Sequence, residues 1–130
     1  MIGPSILFVD DEQDILDLGV TALENAGLRV LPAISSDVAL ILLEQGLPFE
    51  LMITDIVLPG VLDGFALARK ARELRHDIKI IYTTGYAGIA NVRSRGAPYG
   101  EVLGKPWRVR QLVEIVQTVI GGRVPNLTSP

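Results

Sequence analysis

The segment between Glu50 and Gly60 constrains the fold most, because an apolar run in it ends abruptly at a single carboxylate, Asp55. An unbroken apolar run bounded by turn residues is typical of a strand buried on both faces of a sheet. Pro59 and Gly60 predict the turn that follows it. Asp55 is therefore predicted to lie where a strand enters a loop. Taken alone, the segment fits a surface aspartate that opens a turn equally well.

The same order of elements recurs along the chain. Further apolar runs predict strands at residues 5–9, 28–33, 79–84 and 102–103. Helical periodicity and capping residues predict helices at 14–26, 36–45, 65–74 and 109–120, and at most a short helix near 89–95. Pro32 predicts that the second strand lies at an edge. Strands that alternate with helices predict an α/β fold, a doubly wound parallel sheet of five strands with helices on both faces.

Individual positions in the helices follow from the same pattern. Ser35 or Ser36 is the predicted N-cap of the second helix. The apolar faces of the first and third helices are predicted to be Ile15, Leu18, Ala22, Leu23 and Ala26, and Phe65, Ala68, Ala71 and Leu74. The third helix carries basic residues interpreted as a solvated face, with a partner surface as the alternative: Arg69, Lys70, Arg72 and Arg75. His76 is predicted to be exposed, and Trp107 to pack at the start of the last helix.

Length and composition restrict the class of protein. The 130 residues fit one domain, predicted at 1–122, with a disordered C-terminal tail at 123–130. A net charge of −3 gives no general attraction for nucleic acid. The absence of Cys excludes disulfides and thiolate metal sites. With no signal peptide and no apolar run long enough to span a membrane, we expect a cytoplasmic protein that does not bind membranes.

Polar residues follow four of the predicted strands: Asp10 and Asp11, Asp55, Thr84, and Lys105. The carboxyl ends of parallel strands share one edge of a sheet, so these side chains are expected to meet. Clustered carboxylates repel one another, and a hard divalent cation held by their oxygens keeps them ionised. A hydroxyl and an ammonium beside such a cation suit phosphoryl oxygens. The pattern predicts a Mg²⁺ site that holds a phosphoryl group beside a carboxylate.

These motifs resemble the receiver domains of two-component response regulators. The resemblance rests on the Asp10-Asp11 pair, on Asp55 in Asp-Ile-Val-Leu-Pro-Gly, on Thr84 before a small Gly, and on Lys105-Pro106. It extends over residues 5–120. The Thr-Thr-Gly-Tyr-Ala and Leu-Gly-Lys-Pro-Trp segments are most similar to receivers of hybrid histidine kinases. The resemblance implies a flavodoxin-like (βα)5 fold.

The resemblance also implies roles for the matching residues. Asp55 would be the nucleophile that accepts a phosphoryl group from a phosphohistidine. Asp11 and Asp55 would ligate Mg²⁺ directly, with Mn²⁺ as a possible substitute, Asp10 would act through water, and the Val57 backbone carbonyl would be a further ligand. A separate pair would bind phosphoryl oxygens: Lys105 and Thr84.

A stand-alone receiver is expected to signal by contact rather than to act as an enzyme, apart from its own phosphorylation and dephosphorylation. The implied partners are a histidine kinase or histidine phosphotransfer protein and a downstream protein effector. They are expected to contact the last helix and the strand before it, and the chain is expected to be a monomer or weak dimer. The alternatives are an unphosphorylated protein-interaction module or a small-ligand binder of the same fold.

Two positions, Val102 and Val57, depart from the pattern of the family, and a third residue, Asp10, has a simpler alternative interpretation. Many receivers carry an aromatic residue three positions before the Lys, where this chain has Val102, so the signal output through that residue is in doubt. Val57 offers no polar group to orient a hydrolytic water. Asp10 has an alternative role as the N-cap of the first helix.

Overall fold

The computed structural model describes residues 5–95 and 100–121, and within them strands and helices alternate strictly. In chain order the elements are β1 (Ser5–Val9), α1 (Gln13–Asn25), β2 (Arg29–Ala33), α2 (Ser36–Glu44), β3 (Phe49–Asp55), α3 (Gly64–Leu74), β4 (Lys79–Thr84), α4 (Tyr86–Ser94), β5 (Gly100–Gly104) and α5 (Val109–Gly121). The predicted α/β fold is confirmed. The predicted tail lies outside the described residues.

The five strands form one parallel sheet in the order β2-β1-β3-β4-β5. The chain runs outward from β1 to β2, crosses back to β3 on the other side of β1, and then continues outward. This reversal places the topological switch point between β1 and β3, where open α/β sheets bind their ligands. β2 is an edge strand, as Pro32 predicts, because at an edge the missing N–H of proline can be one that would face solvent.

Helices cover the sheet on both faces and form two hydrophobic cores. α2, α3 and α4 enclose the core that contains Leu7, Met52, Ile80, Tyr82, Leu67 and Val92. α1 and α5 enclose the core that contains Phe8, Ile53, Ile81, Leu23, Trp107 and Leu112. The central strands therefore bury side chains on both faces, which is why their sequences read as unbroken apolar runs. Trp107 packs against Phe8, with ring centroids 6.4 Å apart.

Capping residues fix the helix ends near the predicted positions. Ser35 is the N-cap of α2, and its hydroxyl accepts a hydrogen bond from the Val38 amide at 3.2 Å. Asp63 caps α3 in the same way, accepting from the Ala66 amide at 2.8 Å. Gly27 follows α1 with a φ of 89°, a left-handed conformation that glycine adopts without a steric penalty.

Some sequence predictions about the helices are wrong. Leu18 is 46% exposed and Leu74 is 44% exposed, whereas Leu16 of α1 and Leu67 of α3, which were not among the predicted face residues, are buried. The helical period identifies an apolar stripe, but the orientation of the helix on the sheet decides which edge of that stripe is covered. α4 begins at Tyr86, earlier than the predicted 89. None of the described helices is long and apolar enough to cross a membrane.

Arg72 of α3 and Arg75, its C-cap, are partly buried and bond to backbone carbonyls, so the interpretation of a solvated face is wrong for these two residues. Arg72 Nε donates a hydrogen bond to the Ile78 carbonyl at 2.6 Å. Arg75 Nε donates to the Phe49 carbonyl at 2.5 Å. These bonds tie the end of α3 to the residue before β4 and to the first residue of β3. His76 is exposed, as predicted.

Candidate functional site

The polar residues predicted to converge lie at the carboxyl edge of the sheet. Asp10 directly follows β1, Asp55 is the last residue of β3, and Thr84 is the last residue of β4. Lys105 directly follows β5. The four strands are parallel, and Val9 pairs with Thr54, so Asp10 and Asp55 emerge at about the same level. Asp55 pairs with Thr83 and Thr84 pairs with Gly104, so Thr84 lies one residue and Lys105 two residues farther along the same edge. The site therefore lies at the switch point of the sheet.

Three carboxylates form the acidic part of the site. Asp10, Asp11 and Asp55 each offer an oxygen, and these oxygens all lie within 4.8 Å of one another. Asp10 is fully buried, Asp55 is partly buried and Asp11 is exposed. Oxygen donors at this spacing, open to solvent on one side, suit a hard divalent cation that keeps some of its water. The donor set fits Mg²⁺, as the sequence predicts.

Lys105 neutralises part of this negative charge. Its Nζ lies 2.8 Å from Asp55 Oδ2, with hydrogen-bond geometry, and 2.8 Å from Asp10 Oδ2 as an ion pair. Glu12 Oε1 lies farther away, at 3.8 Å. Burial alone would lower the pKa of Lys105, but its contacts with the Asp10 and Asp55 carboxylates and their charges outweigh burial and raise it. The side chain is a permanent cation at neutral pH.

The backbone around Lys105 and Asp10 fixes these side chains in place. The Lys105 amide donates to the Thr84 carbonyl at 2.7 Å, which joins the ends of β4 and β5. The Lys105-Pro106 peptide bond is cis. Asp10 Oδ1 accepts a hydrogen bond from the Glu12 amide at 2.9 Å, but the N-cap of α1 is Glu12. Asp10 therefore belongs to the acidic cluster, and its alternative role as the N-cap is wrong.

The loop between β3 and α3 is held close to Asp55 by contacts that sequence patterns did not indicate. A Cβ at Gly64 would overlap the Asp55 carbonyl oxygen, so only glycine lets α3 begin so close to β3. The buried Ser36 hydroxyl accepts from the Leu62 amide at 3.2 Å and donates to the Pro59 carbonyl at 3.4 Å. The sequence pattern predicts only an N-cap role for Ser36, because its partners are more than 20 residues away in sequence.

The two residues that depart from the family's pattern, Val57 and Val102, differ in their exposure to solvent. Val57, two residues after Asp55, is 78% exposed and stands at the open side of the site. Val102 is partly buried and pairs with Tyr82 of the neighbouring strand. Thr84 is buried, 6% exposed, beneath the first turn of α4. Tyr82 is the aromatic residue nearest to this strand end on β4, and its ring stacks at a tilt on Phe65, 5.1 Å away.

A cavity of about 370 Å³ opens beside the charged cluster, between α1 and the β5–α5 connection. Its walls are formed by Glu12, Ile15, Leu18, Lys105, Pro106 and Trp107. The wall is mostly apolar, and the exposed Leu18 is part of it. An apolar surface next to a charged cluster is suited to a protein partner that brings a reactive group to that cluster.

Comparison with known proteins identifies the same family across most of the chain. A family model of the response regulator receiver domain matches residues 6–117. The response regulator receiver protein CpdR of Brucella abortus is 38% identical over 116 residues, covering 88% of this chain and 95% of CpdR. Sensor kinase CckA of the same organism is 34% identical over 119 residues, covering 89% of this chain and 12% of the kinase.

Solved structures agree with these sequence matches. The crystal structure of a response regulator receiver protein from Sinorhizobium medicae superposes with a TM-score of 0.84 at 31% identity. The alignment covers 93% of this chain and 97% of that one. The similarity includes the sheet, its flanking helices and therefore the strand ends that form the charged cluster.

Proposed function

The chain belongs to the response regulator receiver domain family, the signalling phosphoacceptors of two-component systems, and from this premise we propose that Asp55 is its phosphoacceptor. Asp55 is the partly buried carboxylate at the end of the central strand β3. The Lys105 ammonium lies 2.8 Å from both Asp55 and Asp10, but the Asp10 side chain is fully buried, whereas that of Asp55 is 14% exposed. It is accessible to a donor yet fixed in direction.

The observation that carries the proposal is the position of Lys105 Nζ, 2.8 Å from the Asp55 carboxylate. An ammonium this close to the nucleophile can stabilise the negative charge on the oxygens of an incoming phosphoryl group. Its raised pKa keeps it charged during that step. The Thr84 hydroxyl, at the end of the adjacent strand, would hydrogen-bond to a second phosphoryl oxygen.

In the proposed reaction an oxygen of Asp55 attacks the phosphorus of a phosphohistidine. A P–O bond forms while the P–N bond breaks, and the imidazole leaves as a neutral ring because its other nitrogen carries a proton in the reacting form. The product is an acyl phosphate on Asp55. Lys105 holds a phosphoryl oxygen by its charge, and Thr84 holds another once its hydroxyl turns toward the site, so apart from the Asp55 nucleophile the protein contributes position and charge.

The acidic cluster would hold a divalent cation during this reaction. Asp11 and Asp55 would bind Mg²⁺ directly, Asp10 would bind through water, and the Val57 backbone carbonyl would complete the protein ligands. When bound, the ion supplies positive charge to the phosphoryl oxygens. Mn²⁺ prefers similar oxygen donors and is expected to substitute for it. Hydrolysis by water would later release phosphate and regenerate the Asp55 carboxylate, slowly, since the Val57 side chain offers no polar group to orient the water.

Receiver domains accept phosphoryl groups from histidine kinases or phosphotransfer proteins. We propose that such a donor docks on the apolar cavity beside Lys105, where Ile15 and Leu18 of α1 face Pro106. The exposed faces of β5 and α5 remain the proposed surface for a downstream effector. A monomer or weak dimer would leave both surfaces accessible.

The proposal is tested by incubating the protein with acetyl phosphate and measuring its intact mass. The protein should gain the mass of one phosphoryl group when Mg²⁺ is present. It should show no gain when EDTA is added before the acetyl phosphate. Asp55→Ala should abolish the gain. Asp77→Asn is the matched control, because Asp77 is exposed and precedes β4 at the opposite edge of the sheet. No gain in the native protein, or a gain that survives Asp55→Ala, would leave the interaction-module alternative instead.

A further inference from the structure

The first turn of α4 packs directly on the strand ends that carry Thr84 and Lys105, and it does so through two glycines. A Cβ at Gly88 would overlap the Thr84 hydroxyl oxygen and would lie 3.0 Å from the Thr84 Cβ. A Cβ at Gly104, the residue before Lys105, would lie 2.8 Å from Ile89 Cδ1 of α4. Because each glycine lacks a Cβ, α4 and the strand ends can approach one another closely at these two positions.

Gly88 is not explained by the needs of the helix itself. Glycine within a helix is less stable than alanine by about 0.5–1 kcal/mol in general, because it loses more backbone freedom on folding. Its presence inside α4 therefore has to be accounted for by its surroundings. The closest atom to the missing side chain belongs to Thr84, the residue proposed to hold a phosphoryl oxygen.

The contact restricts the side-chain torsion of Thr84. Threonine is β-branched, so its Cβ carries the hydroxyl, the methyl group and one hydrogen in three staggered positions. In this structure the hydroxyl occupies the position that faces Gly88, and the methyl carbon would lie 3.2 Å from a Cβ there. If residue 88 had a side chain, only the hydrogen on the Thr84 Cβ would fit in the staggered position that faces it. The Thr84 hydroxyl would then have to rotate away from α4.

We propose that Gly88 is a positioning residue for the phosphoryl site, and that it sets the resting rotamer of Thr84 by leaving room for its hydroxyl against α4. This inference rests on the proposed function. Rotation of Thr84 toward a phosphoryl group would empty the space at Gly88 and let the first turn of α4 move inward. α4 would then report phosphorylation directly, which suits a chain that has Val102 where many receivers have an aromatic residue.

The experiment compares phosphorylation rates with acetyl phosphate and Mg²⁺ for the native protein and three variants: Gly88→Ala, Thr84→Ala, and the double variant. Gly88→Ala should change the rate at least about twofold, the lower range of coupling for side chains in contact. The same substitution in the Thr84→Ala background should leave the rate unchanged, because the hydroxyl and methyl group that it displaces are gone. Such a result, in either direction of rate change, supports the proposal.

Gly121→Ala is the matched control, since it adds the same methyl group at the exposed end of α5, where no described atom from outside the end of its own helix lies within 4 Å of the added carbon. Its rate should equal that of the native protein. The proposal is overturned if Gly88→Ala has the native rate. It is equally overturned if Gly88→Ala changes the rate by the same factor with Thr84 and with Ala at residue 84, because glycine would then act on the helix alone.

A measurement on the native protein covers the case in which Gly88→Ala does not fold. A nuclear Overhauser effect between the Gly88 α-protons and the Thr84 side chain should be present without a phosphodonor and should weaken after phosphorylation. Absence of the effect in the unphosphorylated protein overturns the inference. If the native protein gains no phosphoryl group at all, the proposed function fails, whereas the resting contact is still decided by this measurement.

Discussion

The Lys105 ammonium lies 2.8 Å from the Asp55 carboxylate, although the two residues are 50 positions apart in sequence. The same ammonium lies 2.8 Å from Asp10. A single cation thus contacts two of the three clustered carboxylates, and since it offsets only one negative charge, the cluster retains negative charge for a divalent ion. Lysine and metal would act on the same acids, so the stability of the fold and the affinity for Mg²⁺ are expected to be coupled.

Replacing Lys105 by methionine should destabilise the metal-free protein by about 2 kcal/mol, because the buried Asp10 carboxylate loses its partner. Mg²⁺ should restore part of this loss, since it supplies the positive charge that Lys105 supplied. Urea unfolding in EDTA and in Mg²⁺ measures both effects. Lys70→Met is the control: Lys70 pairs with Glu73 on the exposed face of α3, at 3.6 Å, and such pairs contribute little.

The stabilising effect of Lys105 should depend on pH in one direction only. Its pKa is raised in the folded protein above the ordinary value of 10.5. The folded state therefore holds the proton more tightly than the unfolded state does, and the contribution is complete below the unfolded-state pKa. It is lost as pH rises through the higher folded-state pKa. In EDTA, the difference in unfolding free energy between the native protein and Lys105→Met should be constant at neutral pH and shrink at strongly alkaline pH; a difference that grows would contradict this assignment.

Asp11→Asn should weaken Mg²⁺ binding about tenfold or more without destabilising the metal-free fold. Asp11 is exposed and contributes an oxygen to the acidic cluster, so its charge repels its neighbours when no cation is bound. Isothermal titration calorimetry with Mg²⁺ measures the affinity, and urea unfolding in EDTA measures the stability. Equal Mg²⁺ affinity in the variant and the native protein would exclude Asp11 as a ligand.

Gly64→Ala should lower the unfolding free energy by about 2 kcal/mol and slow phosphorylation, since overpacking against backbone cannot be relieved by side-chain rotation. The added Cβ would overlap the Asp55 carbonyl oxygen and lie 2.7 Å from Ile56 Cα. Either α3 or the end of β3 must then move, and Asp55 moves with the latter. Gly121→Ala, whose added carbon meets no other element within the described part of the chain, should leave both stability and rate close to native values.

Ser36→Ala should destabilise the fold by about 1 kcal/mol and speed hydrogen exchange at the Leu62 amide, which loses its acceptor. Ser35→Ala separates this effect from helix capping. It removes the N-cap of α2 at a similar cost, but it leaves the bond to Leu62 intact. Exchange at Leu62 should therefore respond to the first substitution and not to the second.

Much of the site could be predicted because its residues follow strands in a repeated pattern. An apolar run followed by Asp10, Asp55, Thr84 or Lys105 identifies a strand end, and parallel strands bring their carboxyl ends together. The contacts of Ser36, Gly64 and Gly88 could not be predicted in this way. They depend on the distance between a helix and a strand end, which leaves no periodic trace in the sequence.

The sequence alone determined the α/β class, the strand positions and the identity of the acidic and basic residues, because buried strands and amphipathic helices have distinct periodicities. Tertiary structure decided the strand order β2-β1-β3-β4-β5, which makes β1 and β3 neighbours and so joins Asp10 to Asp55. It also decided that Leu16 rather than Leu18 is buried, and that the Thr84 hydroxyl rests against Gly88. Each of these depends on how elements pack on one another, which local residue pattern does not specify.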